Sequence, residues 1–360
     1  MSTKIFVMTH KLFEQPKNAM YIPMQVGHAL SGTLHGDYLR DDDGKDNISA
    51  QNPYFSELTG MYWVWKHWRE TENVGICHYR RFPVMRERQG GPERLMTEAD
   101  CERILREYDL ITTEKLTLHS NYYDGFAVDH NLYDLQVTEQ VVREKYPAYY
   151  DCFEALVHNN KVYFGNICVM PKGLYDAYCS WLFDILFEVQ GRIDVSGYDG
   201  YRKRVFGFLS EFLQMVWIQV NHLRPYECRI AIIGEKFETG EVKRALSDLF
   251  AKKDVCGAKE YFLECYEKRP DILMEASDIT GELRICMQII STCEFEKRFL
   301  GSCILDKERD MKKLVSLFKA LNMAVLRKSR GEETEEDRKL LAGDLISEPA
   351  VQVAMQVMKI

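Results

Sequence analysis

The chain has 360 residues, 46% hydrophobic and 28% charged, with a formal net charge of −8. That is enough apolar material for roughly two packed domains. The acidic balance excludes a dedicated nucleic-acid binder, which carries a net basic surface. No stretch reaches the ~18 apolar residues of a membrane span, and the amino terminus lacks the basic segment and apolar core of a signal peptide. Eleven cysteines without Cys-x-x-Cys spacing read as reduced thiols in a cytosolic protein and suggest no zinc site.

In chain order, Lys4 to Met8 reads as a short strand of branched and aromatic residues. The run Asp41, Asp42, Asp43 and Asp46 misses the spacing of a calcium loop and reads as a solvated loop, with a divalent cation as the alternative. Asn52-Pro53 starts a helix, with Leu58, Met61, Tyr62, Trp65 and Trp68 on one face. A strand, Val74 to His78, follows. Then come a helix over Thr97–Glu107, a strand over Leu110–Thr112, a helix over Thr138–Phe153 and a strand over Val162–Met170. Helices over Leu174–Val189 and Tyr201–Val220 and a strand over Arg229–Ile233 complete the alternation. Such alternation favours an α/β sheet with helices on both faces, whose ligands gather at the carboxyl ends of the strands.

All five tryptophans and all nine histidines precede residue 223. Beyond about Gly240 the composition turns to Leu, Ala, Lys and Glu at helical spacing, which divides the chain into 1–238 and a helical part, 239–360. Ala258, Phe262, Cys265 and Pro270 match the second helix of a tetratricopeptide unit, but the pattern does not repeat. Lys312 to Arg330 carries six cations beside the stripe Leu314, Phe318, Leu321 and Val325. It is either a basic amphipathic helix lying on an anionic membrane or a packed helix with a solvated basic face.

Three stretches carry the chemistry. "VGICHYRRF" ends an apolar strand in His78, Tyr79, Arg80 and Arg81. Guanidiniums bind phosphate by a two-pronged fork and keep their charge, so this strand end suits a pyrophosphate; the structural alternative is a set of salt bridges. Asn47 either hydrogen-bonds a sugar or base or shapes the turn, and Glu57 is a candidate partner for Arg80 or Arg81. Glu211 is the only charged residue between Val205 and Val220. An unpartnered buried carboxylate is costly, so Glu211 has a partner, a narrow exposed stripe, or a raised pKa suited to a general base. Asp129 and His130, after a loop rich in Tyr, Asn and Asp, are weaker acceptor-side candidates. No dinucleotide fingerprint, P-loop or nucleophile elbow is present.

Six blocks, among them "YIPMQVGHAL", "DNISAQNPYFSELTGMYWVWKH", "VGICHYRRF", "GNICVMPKGLYDAYCSWLFDILFE" and "YRKRVFGFLSEFLQMVW", occur in order over residues 3–235. They resemble a family of bacterial glycosyltransferases of capsular, exopolysaccharide and O-antigen clusters, long known only as a domain of unknown function. The resemblance implies a GT-A-like nucleotide-sugar fold, a nucleotide-sugar donor (galactofuranose in some members) and a glycan or lipid-linked glycan acceptor. GT-A enzymes commonly hold a metal at such a strand end with Asp-x-Asp. Here His78, Tyr79, Arg80 and Arg81 stand in that place, with cationic side chains taking the role of the metal and Asn47, Glu57 and His10 supporting the donor pocket, which suggests transfer without a metal. Glu211 falls in the family's Phe-Leu-Ser-Glu motif and is the expected acceptor base. An Arg usually follows it there, whereas this chain has Phe212. That departure keeps open a non-catalytic sugar- or nucleotide-binding scaffold, and a nucleotidyltransferase is a third reading.

Overall fold

A computed structural model describes residues 2–86, 94–234, 237–273 and 277–359, which divide into two compact units, 1–233 and 234–360.

The first unit is built on β1 (Thr3–Thr9), β2 (Tyr21–Gln25), β3 (Leu39–Arg40), α1 (Asn52–Phe55), α2 (Leu58–His67), β4 (Asn73–His78) and β5 (Arg81–Val84). There follow α3 (Glu98–Leu105), β6 (Leu110–Thr113), β7 (Leu116–Thr117), α4 (Tyr122–Asp129), α5 (Leu132–Lys145) and α6 (Pro147–Val157). It closes with β8 (Lys161–Val162), β9 (Cys168–Pro171), α7 (Lys172–Arg192), α8 (Val205–Val220) and β10 (Pro225–Ile232). β1 lies parallel between β2 and β4; β9 runs antiparallel between β4 and β6, and β10 is parallel to β6. β5 returns along β10 and meets the end of β4 through a single residue pair, His78 with Arg81.

The sheet is apolar on both sides because both sides are covered. Phe6, Val74 and Ile76 face α2, α7 and α8, while Ile5, Val7 and Cys77 face Cys101 and Ile104 of α3. α3 starts where its chemistry says it should, with a reciprocal cap between Thr97 and Asp100.

Three expected elements are broken. The helix expected from Asn52 through Trp68 is interrupted at Ser56 (φ 50°, ψ −128°), whose backbone cannot continue a helix, so α1 and α2 are separate. The helix expected over Thr138–Phe153 stops at Tyr146, because Pro147 cannot continue it and instead opens α6. The strand expected over Val162–Met170 is cut by Gly165 (φ 93°) and Asn166 (φ 48°), so β8 and β9 are separate strands joined by a left-handed turn. The run of acids is no solvated loop at its start. Asp41 is fully buried and accepts hydrogen bonds from the Gly27 and His28 amides and the Ser49 hydroxyl. Asp42 pairs with His28 at 2.7 Å, and Asp46 accepts from Tyr62.

The second unit's described residues form α9 (Phe237–Ala251), α10 (Val255–Lys268), α11 (Glu282–Leu300), α12 (Met311–Ser329), α13 (Glu335–Leu341) and α14 (Glu348–Met358), with no strand among them. Ala258 and Phe262 pack into this unit's interior. So do Leu314, Phe318, Leu321 and Val325 of α12. The apolar stripe of the basic helix is therefore covered, and Arg327 is bound to Asp337. The exposed side of α12 carries lysines such as Lys312 and Lys328, together with Met323. No helix among the described residues is long and apolar enough to cross a membrane.

Gly75, in β4, has no room for a side chain: a Cβ there would lie 2.8 Å from Val169 Cγ2 and 2.9 Å from Ile5 Cγ1. Gly75→Ala should lower stability by about 1–3 kcal/mol. A lower urea midpoint at unchanged slope checks it.

Candidate active site

Three left-handed or strained backbone positions bring the site together. The turn between β8 and β9 presents the Gly165 amide, which donates to Glu211 Oε1 at 2.8 Å. The next residue, Asn166, donates from Nδ2 to Glu57 Oε1 at 2.7 Å and to the Gly207 carbonyl at 3.2 Å. Its Oδ1 accepts from the Ser210 hydroxyl at 2.9 Å. One turn thus fixes a carboxylate that precedes α2 and one in the middle of α8. Glu57 itself follows Ser56, a non-glycine residue at φ 50°, ψ −128°. Such a conformation costs of order 1–3 kcal/mol and is held only where its surroundings impose it. Here the Ser56 carbonyl is gripped by Asn52 Nδ2 at 2.8 Å and Thr59 Oγ1 at 3.1 Å.

The β4–β5 turn faces this pair. His78 and Arg81 are cross-strand partners, so their side chains leave the sheet on the same side. Arg81 Nη1 lies 3.5 Å from where a Cβ on Gly165 would stand. Among the described residues the Arg81 side chain has no hydrogen bond or ion pair. Nor does Glu57 pair with it, since Glu57 is committed to Asn166. Burial lowers the His78 pKa, with Glu57 opposing and Arg81 reinforcing the shift, and His78 Nε2 is buried without a hydrogen-bond partner.

Glu211 titrates far from the ordinary carboxylate range. Burial first, and then the neighbouring Glu57, push it up from 4.5 to about 8, against the opposing pull of Arg81, the Gly165 amide and Arg204. The site is therefore a mostly protonated carboxyl, a second carboxylate, a neutral imidazole and an open guanidinium, at the carboxyl end of a central strand.

The other expected residues fall as follows. Arg80 is buried, whereas Arg81 is half-buried and is the more accessible member of the pair. Tyr79 packs edge-on against His10 at 5.6 Å, beside Phe13. Asn47 shapes its own turn, donating to the Gly44 carbonyl and accepting from Ser49 N, and no contact brings it to the carboxylates. Asp129 is half-buried at the end of α4. His130 lies among Tyr201, Phe208 and Phe126, and burial followed by Arg202 and Arg204 lowers its pKa to about 4. Sequence reading missed Gly165, Asn166, Ser210 and Arg204. The Gly-Asn pair inside an apolar run was the available signal, since that dipeptide marks a turn.

Residues 4–222 match the model of a family described as a domain of unknown function, DUF4422. The chain belongs to this family. No curated protein matches it. Among solved structures it is similar to the apo form of WbbM, a bifunctional glycosyltransferase, with 27% identity and a TM-score of 0.62 over 65% of this chain. The match covers 46% of that protein, so this chain spans under half its length. Within this DUF4422 chain, Phe212 is fully buried and stacked on Tyr122 at 4.5 Å. The residue after Glu211 thus belongs to the core beneath the site, and the carboxyl is held without it.

The raised Glu211 pKa fixes a sign for stability. The folded protein keeps a proton that the unfolded chain releases near pH 4.5. The stability tied to that proton is complete below about pH 4.5 and is lost as the pH climbs through about 8. Glu211→Gln should flatten this decline, so that its Tm relative to the native chain rises steadily between those two pH values.

Proposed function

We propose that the first unit is a GT-A-like glycosyltransferase. It moves a sugar from a nucleoside diphosphate to a hydroxyl of a surface-glycan acceptor, in a reaction that needs no metal. The observation that carries this reading is the open Arg81 guanidinium beside a carboxyl of raised pKa at the end of β4. The likeness to a bifunctional glycosyltransferase supports it.

In the reaction, the acceptor oxygen attacks the anomeric carbon while the bond from that carbon to the diphosphate oxygen breaks. The leaving electron pair goes to the diphosphate, whose growing charge Arg81 takes by a forked, charge-assisted contact. His78 adds a neutral nitrogen on the same face. The acceptor proton passes to Glu211, which must first be ionised. Its pKa of about 8 lies close enough to neutrality for this role, because a base is most effective near the working pH. Glu57 keeps Glu211 basic by repulsion, and Asn166 keeps Glu57 in place. Tyr79 and His10 form an aromatic edge that suits the donor's base or sugar, and Asp129 and His130 remain on the acceptor side of the reading. The helical unit and its exposed lysines would serve contacts with a lipid-linked acceptor at an anionic surface.

The scaffold alternative loses its main support at Phe212. A core residue there leaves the carboxyl and its amide donor intact.

A thermal-shift series with nucleoside diphosphates and nucleotide sugars, in EDTA and in manganese, tests the donor site. We expect stabilisation by one diphosphate that persists in EDTA and is weakened at least about tenfold in Arg81→Gln, as expected for loss of a charge-assisted pair. Binding that requires manganese would refute transfer without a metal. Absence of binding by every nucleotide would refute the donor site.

A further inference from the structure

We propose that Arg81 and Arg204 are the two jaws of a single clamp that holds both phosphates of a diphosphate. The proposal rests on the transferase reading and extends it to a residue from a different part of the fold.

Arg204 ends the short turn that leads into α8. The neighbouring cations of that turn have different fates. Arg202 is spent on Asp199 at 2.7 Å. Arg204 instead lies over two rings, with its guanidinium carbon 5.0 Å from the centre of Tyr201 and 5.4 Å from that of Phe208. Among the described residues it has no ion pair. A partly buried guanidinium is held this way by the ring faces, which fix its position but do not neutralise its charge.

The Glu211 carboxyl is a common neighbour of this guanidinium and of Arg81. The opening turn of α8 is tied to the β8–β9 turn, where Asn166 Nδ2 donates to the Gly207 carbonyl and Ser210 bonds to Asn166. On the other side of that same turn, Arg81 flanks Gly165. Arg81 therefore flanks the turn from β5, Arg204 lies just before the helix that the turn holds, and both act on the Glu211 carboxyl.

The groups that could satisfy them internally are accounted for. Glu57 is bound by Asn166, Asp199 by Arg202, and Glu211 by the Gly165 amide. His130, stacked on Tyr201, stays neutral in the neutral range and adds no charge. Two open forks around a mostly uncharged carboxyl suit a ligand with two linked anionic groups, each taken by one fork. A single phosphate would leave one guanidinium unmatched.

Calorimetric titration of the full chain with inorganic pyrophosphate and with inorganic phosphate tests the clamp, using the native protein, Arg81→Gln, Arg204→Gln and the milder Arg204→Lys. We expect pyrophosphate to bind the native chain at least about tenfold more tightly than phosphate, each fork contributing a charge-assisted contact. Either glutamine variant should erase that preference while still binding phosphate weakly. Arg204→Lys, which keeps the charge but loses the planar fork, should retain only part of it. A pyrophosphate preference left intact in both Arg204 variants would overturn the clamp, as would a native chain with no preference. A parallel titration of the same proteins with nucleoside diphosphates separates the two readings. Nucleoside diphosphate binding that ignores Arg204 removes the clamp and leaves the transferase. Pyrophosphate binding through both arginines without any nucleotide binding leaves the clamp and removes the transferase.

Discussion

The left-handed turn at Gly165 and Asn166 is the constraint on which the site depends. A strand interrupted there presents an amide and a carboxamide in place of a continuous ladder. The amide meets Glu211 and the carboxamide meets Glu57, so two acids from helices far apart in sequence are set against one backbone segment. Ser210 and the Gly207 carbonyl complete the hydrogen bonding of Asn166. A buried polar network of this kind is stabilising only when its members are satisfied. Asn166 meets that condition, and its contacts hold α8 against the sheet.

The electrostatics follow from that geometry. Burial and like charge make Glu211 hold its proton, and the nearby guanidiniums and the amide limit how far the shift runs. Without Glu57 the carboxyl would become a weaker base; without the cations it would hold its proton still more tightly. A carboxyl balanced near neutral pH, with cations that have no ion-pair partner among the described residues, is an arrangement that makes sense for a ligand bringing negative charge and a proton to move.

Much of this was legible in the sequence. β1 and β4 announce themselves as buried strands, because branched and aromatic residues fill both faces of a covered sheet. Glu211 stands out as one charge in an apolar helix, and Arg81 as a cation at a strand end. What composition hides is local backbone geometry. Apolar residues on both sides of Gly165 imitate one long strand, although Gly-Asn was a turn signal in plain view. Pro147 was equally visible as a helix break. Asp41 looked like part of a solvated acid run because its partners are mainly backbone amides, which no residue pattern encodes. The strand-end arginines look equivalent as letters, but the chain's path buries Arg80 and leaves Arg81 open. Arg204 is masked by the cations beside it, and only the rings of Tyr201 and Phe208 distinguish it.

The central claim is that the Glu211 carboxyl takes the acceptor's proton in sugar transfer. The most direct measurement is turnover of a nucleotide-sugar panel by the full chain, with water or a glycan as acceptor, compared with Glu211→Gln across the pH range. Release of nucleoside diphosphate that rises with pH through a midpoint near 8, and falls by about a hundredfold or more in the glutamine variant, is the predicted result. Turnover of equal size and pH profile in the two proteins would contradict it.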